Sequence, residues 1–138
     1  MKKILIVSNS IWNLDNFRRN LINKFLELNY EIIIIVPYDD KYLDAFVHKN
    51  LKIKYINFKS KSYISFLDLL FIFKLSRYIK KNNPDYVLSF TVKPNLFCGF
   101  LSRFYKYKSI CNVTGLGTLF LRGNFIKILS LFLYKICL

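Results

Sequence analysis

Four consecutive isoleucines at positions 32–35 constrain the fold of this chain more than any other feature. They lie in the apolar run 31–36, which Pro37 ends, and a continuous run of β-branched residues is typical of a strand buried on both faces. Residues 2–8 form a second run of the same kind. Because such strands occur in parallel sheets that helices cover on both sides, the sequence predicts an α/β protein.

Strands and helices are predicted to alternate along the rest of the chain. The apolar patterns predict further strands at 52–56, 86–90 and 109–113, and helices at 13–28, 42–49, 64–81, 95–105 and from residue 124 onward. Asn13 or Asp15 is expected to cap the first helix. This alternation predicts a Rossmann-like, doubly wound parallel sheet with strand order 3-2-1-4-5, in one domain spanning residues 1–138.

The chain is strongly basic, with a net charge of +14 over 138 residues, and no aspartate or glutamate occurs from Tyr86 to the last residue. Such a balance favours an anionic partner, which leaves nucleic acid, an anionic membrane face and a phosphorylated substrate open. A bias towards A/T-rich codons would also account for part of the lysine excess. The hydrophobic content of 54% excludes disorder as the main state.

Cysteine and histidine are too few and too scattered for a metal site or a disulfide framework. Three widely spaced cysteines accompany a single histidine, His48, so reduced thiols and no bound metal are expected. The apolar run at the start is too short for a signal peptide, and no stretch matches a transmembrane helix. The sequence therefore predicts a cytoplasmic protein.

Three polar or glycine-bearing segments are expected at the carboxyl ends of the strands, where ligands bind in such sheets. Hydroxyls and amides can bind sugar hydroxyls or an anion, a lysine at a helix start can meet a phosphate, and glycines let the backbone approach a ligand. Taken alone, each segment is also consistent with ordinary turn and capping chemistry. The candidate binding residues are Ser8, Asn9, Ser10, Trp12, Asn16 and Arg18, then Thr91, Lys93, Pro94 and Asn95, and then Thr114, Gly115 and Gly117.

In this order and spacing, these segments resemble the N-terminal, acceptor-side domain of family-4 glycosyltransferases of the GT-B fold. The likeness is greatest to the branch that extends undecaprenyl-diphosphate-linked sugars for capsules, O-antigens and glycoproteins. The resemblance implies transfer of a hexose or N-acetylhexosamine from a nucleotide sugar to a lipid-linked acceptor, with retention of configuration and with no metal or other cofactor. It implies an acceptor-sugar site at the first segment, diphosphate contacts from Lys93 and Asn95, and a cleft floor at the third segment.

Two departures from the family pattern limit what the resemblance implies. Thr114 stands where many members carry a histidine, so no histidine-dependent role can be assigned, and no catalytic residue is named. The paired glutamates of the donor-sugar half have no counterpart in residues 86–138. We therefore expect the domain to be incomplete at its C-terminus and the isolated chain to be inactive.

Apolar residues crowd the helix predicted at 64–81 and basic residues close it, and the last helix carries basic residues beside apolar ones. Such helices suit an anionic leaflet and predict a peripheral location on the inner face of the membrane. The same apolar faces would also suit a core. One alternative function is a non-catalytic membrane-associated binding subunit that needs a separate donor-half chain. A basic nucleic-acid-binding module is less favoured, because the cations scatter and most aromatics fall at core spacing.

Overall fold

The computed structural model describes residues 1–42, 44–58, 66–113 and 135 of the chain. Five strands form one sheet in which every pairing is parallel and the order is β3-β2-β1-β4-β5. This confirms the predicted fold class and strand order, and every strand lies within one residue of its predicted bounds. The strands are β1 (Lys3–Val7), β2 (Glu31–Val36), β3 (Leu51–Tyr55), β4 (Tyr86–Phe90) and β5 (Lys108–Asn112).

Three α-helices connect these strands, and two of them begin before the predicted start. They are α1 (Ile11–Glu27), α2 (Phe66–Asn82) and α3 (Val92–Leu101). The cap of α1 is Ser10, whose hydroxyl accepts the N–H of Asn13 at 3.2 Å, so the predicted caps Asn13 and Asp15 are wrong. Helix α3 starts three residues before its predicted start, because a proline such as Pro94 is tolerated in a first helical turn. It ends four residues before its predicted end.

The helix predicted at 42–49 is wrong. In this part of the chain the structure has a short 3₁₀ turn, Asp40–Tyr42, followed by further turns. The Tyr42 carbonyl accepts the N–H of Ala45, and the His48 carbonyl accepts the N–H of Leu51, which are bonds of tight turns rather than of an α-helix. The linker predicted at 59–63 and the helix predicted from residue 124 lie outside the described residues.

Helices cover both faces of the sheet, as a doubly wound fold requires. On one face, Ile11, Leu14 and Ile22 of α1 pack on alternate residues of β1, β2 and β4. On the other face, α2 and α3 pack on the remaining alternate residues of the same strands, with Phe71, Leu75 and Ile79 forming the buried stripe of α2. This arrangement places the starts of α1 and α3 at the same edge of the sheet, beside the carboxyl ends of β1 and β4.

Candidate functional site

Ser8 follows directly after β1 and is completely buried. Its backbone N–H continues the sheet by donating to the Ile35 carbonyl at 3.1 Å, which fixes its position at the carboxyl edge. Among the described residues its hydroxyl oxygen has no hydrogen-bond partner. A buried hydroxyl without a partner costs about 1–3 kcal/mol, so this atom is one that a ligand could satisfy.

The next two asparagines add carbonyl oxygens at the same edge. The Oδ1 atoms of Asn9 and Asn13 are buried and have no hydrogen-bond partner in the described part of the chain. Ser10, in contrast, uses its hydroxyl as the cap of α1. Ser8, Asn9 and Ser10 therefore lie together at this edge of the sheet, where the sequence placed them. The hydroxyl of Ser10 already accepts a hydrogen bond from α1.

Thr91 turns the chain from β4 into α3 with a strained backbone. Its φ of 75° and ψ of 163° lie in a region that is nearly restricted to glycine, and a β-branched residue there is an outlier. Its Oγ1 makes no capping bond to α3, is buried, and has no hydrogen-bond partner within the described ranges. Strain of this kind costs about 1–3 kcal/mol and tends to occur at functional sites.

Asn95 lies in the first turn of α3 and is completely buried. Its Nδ2 donates to the Asn112 carbonyl at 3.0 Å, which ties α3 to the carboxyl end of β5. Its Oδ1 is left without a hydrogen-bond partner among the residues that the structure describes. Helix α3 begins at this edge without a side-chain cap, and helix N-termini favour anions, although Pro94 has no N–H and the Asn95 N–H donates to the Thr91 carbonyl.

Arg18 reaches the same edge from the second turn of α1. Its guanidinium carbon lies 5.1 Å from the centre of the Phe90 ring, and its Nη2 lies 3.4 Å from Oδ1 of Asn112. Its Nε is buried and has no hydrogen-bond partner in the described ranges. Stacking on Phe90 holds the planar group in place, so this nitrogen remains available for a phosphate or a hydroxyl.

Lys93 is not a solvated cation. Its ammonium donates to Oδ2 of Asp68, in the first turn of α2, at 2.8 Å, and both side chains are buried. The pair joins the starts of α2 and α3 and compensates the charge that was predicted to meet a diphosphate. Pro94, also buried, fixes the backbone between Lys93 and Asn95.

Trp12 and Asn16 lie on the exposed side of α1. Trp12 packs edge-on against Phe17 with ring centres 5.5 Å apart, and Asn16 donates its amide to the Trp12 carbonyl. Within the described part of the chain, no hydrogen bond joins either side chain to the buried polar atoms described above, so the structure does not bring them into the same cluster. Thr114, Gly115 and Gly117 lie outside the described residues.

Sequence reasoning missed Asp68, and it did not include Asn13 or Asn112 among the candidate binding residues, although both belong to the candidate segments. A signal for Asp68 was present, because it falls on the helical stripe that continues through Phe71, Leu75 and Ile79. A carboxylate at a stripe position predicts a buried partner cation. Asn112 contributes its backbone carbonyl, which any residue would supply, and its Oδ1, which accepts from Nη2 of Arg18 at 3.4 Å.

Within the described ranges, no group of three or more histidine, cysteine, aspartate or glutamate side chains could hold a metal ion. No helix in the same ranges is both long and apolar enough to cross a membrane. The described edge offers hydrogen bonding by the side-chain oxygens named above, beside the guanidinium of Arg18.

The sequence matches the family model described as "Glycosyl transferase 4-like" over residues 3–138. The chain belongs to this family. The match includes all three segments on which the resemblance was based, and it covers nearly the whole chain. No curated protein matches the sequence.

Two solved structures share the fold of this family member. A glycosyltransferase from Rickettsia africae ESF-5 superposes with a TM-score of 0.61 over 91% of the chain, at 17% identity. A protein from Listeria monocytogenes assigned as a UDP-N-acetylglucosamine 2-epimerase superposes with a TM-score of 0.67 over 99% of the chain, at 13% identity. The chain spans 34% and 37% of the lengths of these two proteins. At such identities the likeness establishes the Rossmann-like fold alone.

Proposed function

We propose that this chain is the acceptor-binding domain of a glycosyltransferase that transfers a hexose or N-acetylhexosamine from a nucleotide sugar to a polyprenyl-diphosphate-linked saccharide, in the synthesis of a surface polysaccharide or glycan. The observation that carries the proposal is the set of buried side-chain oxygens at the carboxyl ends of β1 and β4 that have no hydrogen-bond partner among the described residues. These atoms belong to Ser8, Asn9, Asn13, Thr91 and Asn95.

The chemistry of these atoms suits a sugar. Two are hydroxyls, which both donate and accept, and three are amide oxygens, which accept, and sugar hydroxyls complement both kinds. A buried oxygen without a hydrogen bond carries a desolvation penalty in the free protein. A hydroxyl-rich ligand that donates to several of these oxygens removes that penalty, which adds to its binding free energy. A charged ligand alone would leave most of these neutral groups unsatisfied.

A diphosphate next to the sugar would meet Arg18 and the first amides of α3. The guanidinium of Arg18 is planar and retains an unpaired Nε in the described structure, whereas Lys93 is engaged by Asp68. Contact between Lys93 and the diphosphate stays a prediction, and the geometry favours Arg18 for the larger share.

The rest of the proposal concerns the complete enzyme. Nucleotide sugar would be its co-substrate, the configuration of the sugar would be retained, no metal would take part, and the donor half would come from another domain or chain. The acceptor's lipid would place this domain on the inner face of the membrane. Exposed apolar residues on the first turns of α2, among them Phe66, Leu69 and Phe73, support a peripheral contact there.

The decisive experiment is a binding titration of the full chain with a water-soluble, short-chain analogue of a polyprenyl-diphosphate saccharide. Ser8→Ala is the sharpest variant, because its hydroxyl makes no described bond and its removal should not destabilise the fold. Loss of one ligand hydrogen bond should weaken binding by about 0.5–1.5 kcal/mol, roughly three- to tenfold. Ser102→Ala is the matched control, since Ser102 bonds the Gly99 carbonyl at the far end of α3. Equal affinities for wild type and Ser8→Ala would refute the site.

A further inference from the structure

An open groove of about 1240 Å³ runs between β3 and α2, away from the buried polar cluster. Lys54 and Asn57 line it from the β3 side, and α2 lines it from Leu67 to Lys81. None of the sequence-predicted site residues borders the groove. It is therefore a separate feature of the surface.

The groove is lined by five cations and, among its described lining residues, by no carboxylate. The cations are Lys54, Lys74, Arg77, Lys80 and Lys81. All five are exposed, and none forms a salt bridge within the described part of the chain. Like charges gathered around one concave surface repel each other, so an anionic occupant would be favoured by all five at once.

The same groove has an apolar margin that a purely electrostatic site would not need. Leu67, Leu70 and Phe73 line it and are 44%, 40% and 60% exposed. The Arg77 guanidinium lies 5.7 Å from the centre of the Phe73 ring, so a cation and an apolar group are presented side by side. Exposed aliphatic side chains gain little from a nucleic acid, whose contacts are with phosphates and stacked bases, but they gain from acyl chains.

We infer that the groove between β3 and α2 binds the phosphate headgroups of anionic phospholipids, with Leu67, Leu70 and Phe73 entering the adjoining acyl region. The inference rests on the proposed function in that a lipid-linked acceptor must be met at a membrane, and it deepens that proposal by naming the surface and the lipid class.

The wall of the groove opposite α2 is held by two contacts. Tyr38 and Tyr55 pack edge-on with ring centres 5.3 Å apart, and Oδ1 of Asn57 accepts the Tyr38 N–H.

Co-sedimentation with lipid vesicles tests the inference on the full chain. We expect binding to vesicles that contain phosphatidylglycerol and much weaker binding to vesicles of phosphatidylcholine alone. Each well-placed cation contributes about fivefold, so Lys74→Gln combined with Arg77→Gln should weaken binding by roughly 10- to 25-fold. The charge-matched control is Arg103→Gln combined with Lys106→Gln, which removes one exposed arginine and one exposed lysine that do not line the groove.

Two further arms separate the possible outcomes. Leu70→Ser combined with Phe73→Ser should also reduce vesicle binding, with circular dichroism confirming the fold, because these side chains are exposed. Equal losses in the groove variant and the control, or equal binding to both kinds of vesicle, would overturn the inference. Loss of binding to a single-stranded oligonucleotide by the groove variant, with vesicle binding unchanged, would overturn it in favour of a nucleic-acid site.

The vesicles contain no saccharide acceptor, so this test is independent of the sugar site. Ser8→Ala should sediment with the vesicles as wild type does, and the groove variant should bind the soluble acceptor analogue as wild type does. Failure of vesicle binding with intact analogue binding would overturn the groove and the peripheral location, and would leave the proposed acceptor site standing. The opposite result would overturn the proposed acceptor site and leave the groove standing.

Discussion

The ammonium of Lys93 lies 2.8 Å from a carboxylate oxygen of Asp68, a residue 25 positions earlier in the chain, and both side chains are buried. The bond connects the first turns of α2 and α3, which begin at the edge of the sheet where the polar cluster lies. A cation that the sequence suggested for ligand binding thus has a structural role, and the start of α3 is fixed relative to α2.

Removing one member of this pair should destabilise the protein strongly. We expect Lys93→Met or Asp68→Leu to lower the free energy of unfolding by roughly 3–5 kcal/mol, because each leaves the other charge buried without this partner. The combined variant should cost much less than the sum, since no uncompensated charge of the pair remains. Urea unfolding followed by circular dichroism measures all three. Additive losses would show that the two side chains do not interact energetically.

Arg18 should matter more than Lys93 for affinity towards a diphosphate. We expect Arg18→Ala to weaken binding of the acceptor analogue by about tenfold or more, the effect of losing a charge-assisted hydrogen bond of 1.5–3 kcal/mol. Arg19→Ala is the comparison, because Arg19 pairs with Asp15 and lies over Phe46. Isothermal titration calorimetry gives both affinities. If a folded Lys93 variant lost more affinity for the analogue than Arg18→Ala does, Lys93 and not Arg18 would be the main contact to the diphosphate.

Two substitutions of Thr91 should separate the effect of its strained backbone on stability from the effect of its hydroxyl on ligand binding. Thr91→Gly relieves strain of about 1–3 kcal/mol and adds about 0.5–1 kcal/mol of unfolded-state entropy, so its free energy of unfolding should equal or exceed that of wild type. Thr91→Ala keeps the strain and should be less stable than Thr91→Gly by about 1 kcal/mol. Both lack Oγ1 and should bind the analogue more weakly. An alanine variant more stable than the glycine variant would contradict the backbone conformation described for Thr91.

The two described cysteines should differ in reactivity. Cys98 is completely buried, and burial, aided by nearby Cys111, raises the pKa of its thiol far above the usual range, although a hydrogen bond with Ser89 opposes this. Because the thiolate is the reactive form, Cys98 should stay protonated and unmodified at mildly alkaline pH, while half-buried Cys111 reacts. Peptide mapping after iodoacetamide treatment distinguishes the sites. In denaturant both should react alike, and faster labelling of Cys98 in the native state would count against the packing of α3.

The sheet could be predicted because its determinants are local. Continuous apolar runs such as 31–36 define buried strands, and their alternation with helices leaves few topologies open. The start of α3 could not be predicted as well, because a residue that precedes proline disfavours helical geometry, and this placed Lys93 outside the helix. Packing against the sheet overrides that preference here, and both Lys93 and Pro94 are buried in the first turn.

The candidate site could be predicted as a location but not as a set of contacts. Ser8, Thr91 and Asn95 were placed at one edge because parallel strands share their carboxyl ends. The bond between Lys93 and Asp68 depends on how α2 packs, and the stacking of Arg18 on Phe90 depends on how α1 crosses the sheet. Such tertiary contacts join residues that no local pattern relates. The same limit explains why exposed Trp12 and Asn16 were grouped with the buried polar residues.

Helix α2 has 17 residues and contains neither glycine nor proline, so it is a stiff rod about 25 Å long. Asp68 fixes its first turn to α3, and four of the five cations of the groove, Lys74, Arg77, Lys80 and Lys81, occupy its later turns. Phe71, Leu75 and Ile79 also fix the same helix to the sheet along its length. The basic end of α2 and the first turn of α3 are therefore held at a fixed separation by one stiff element.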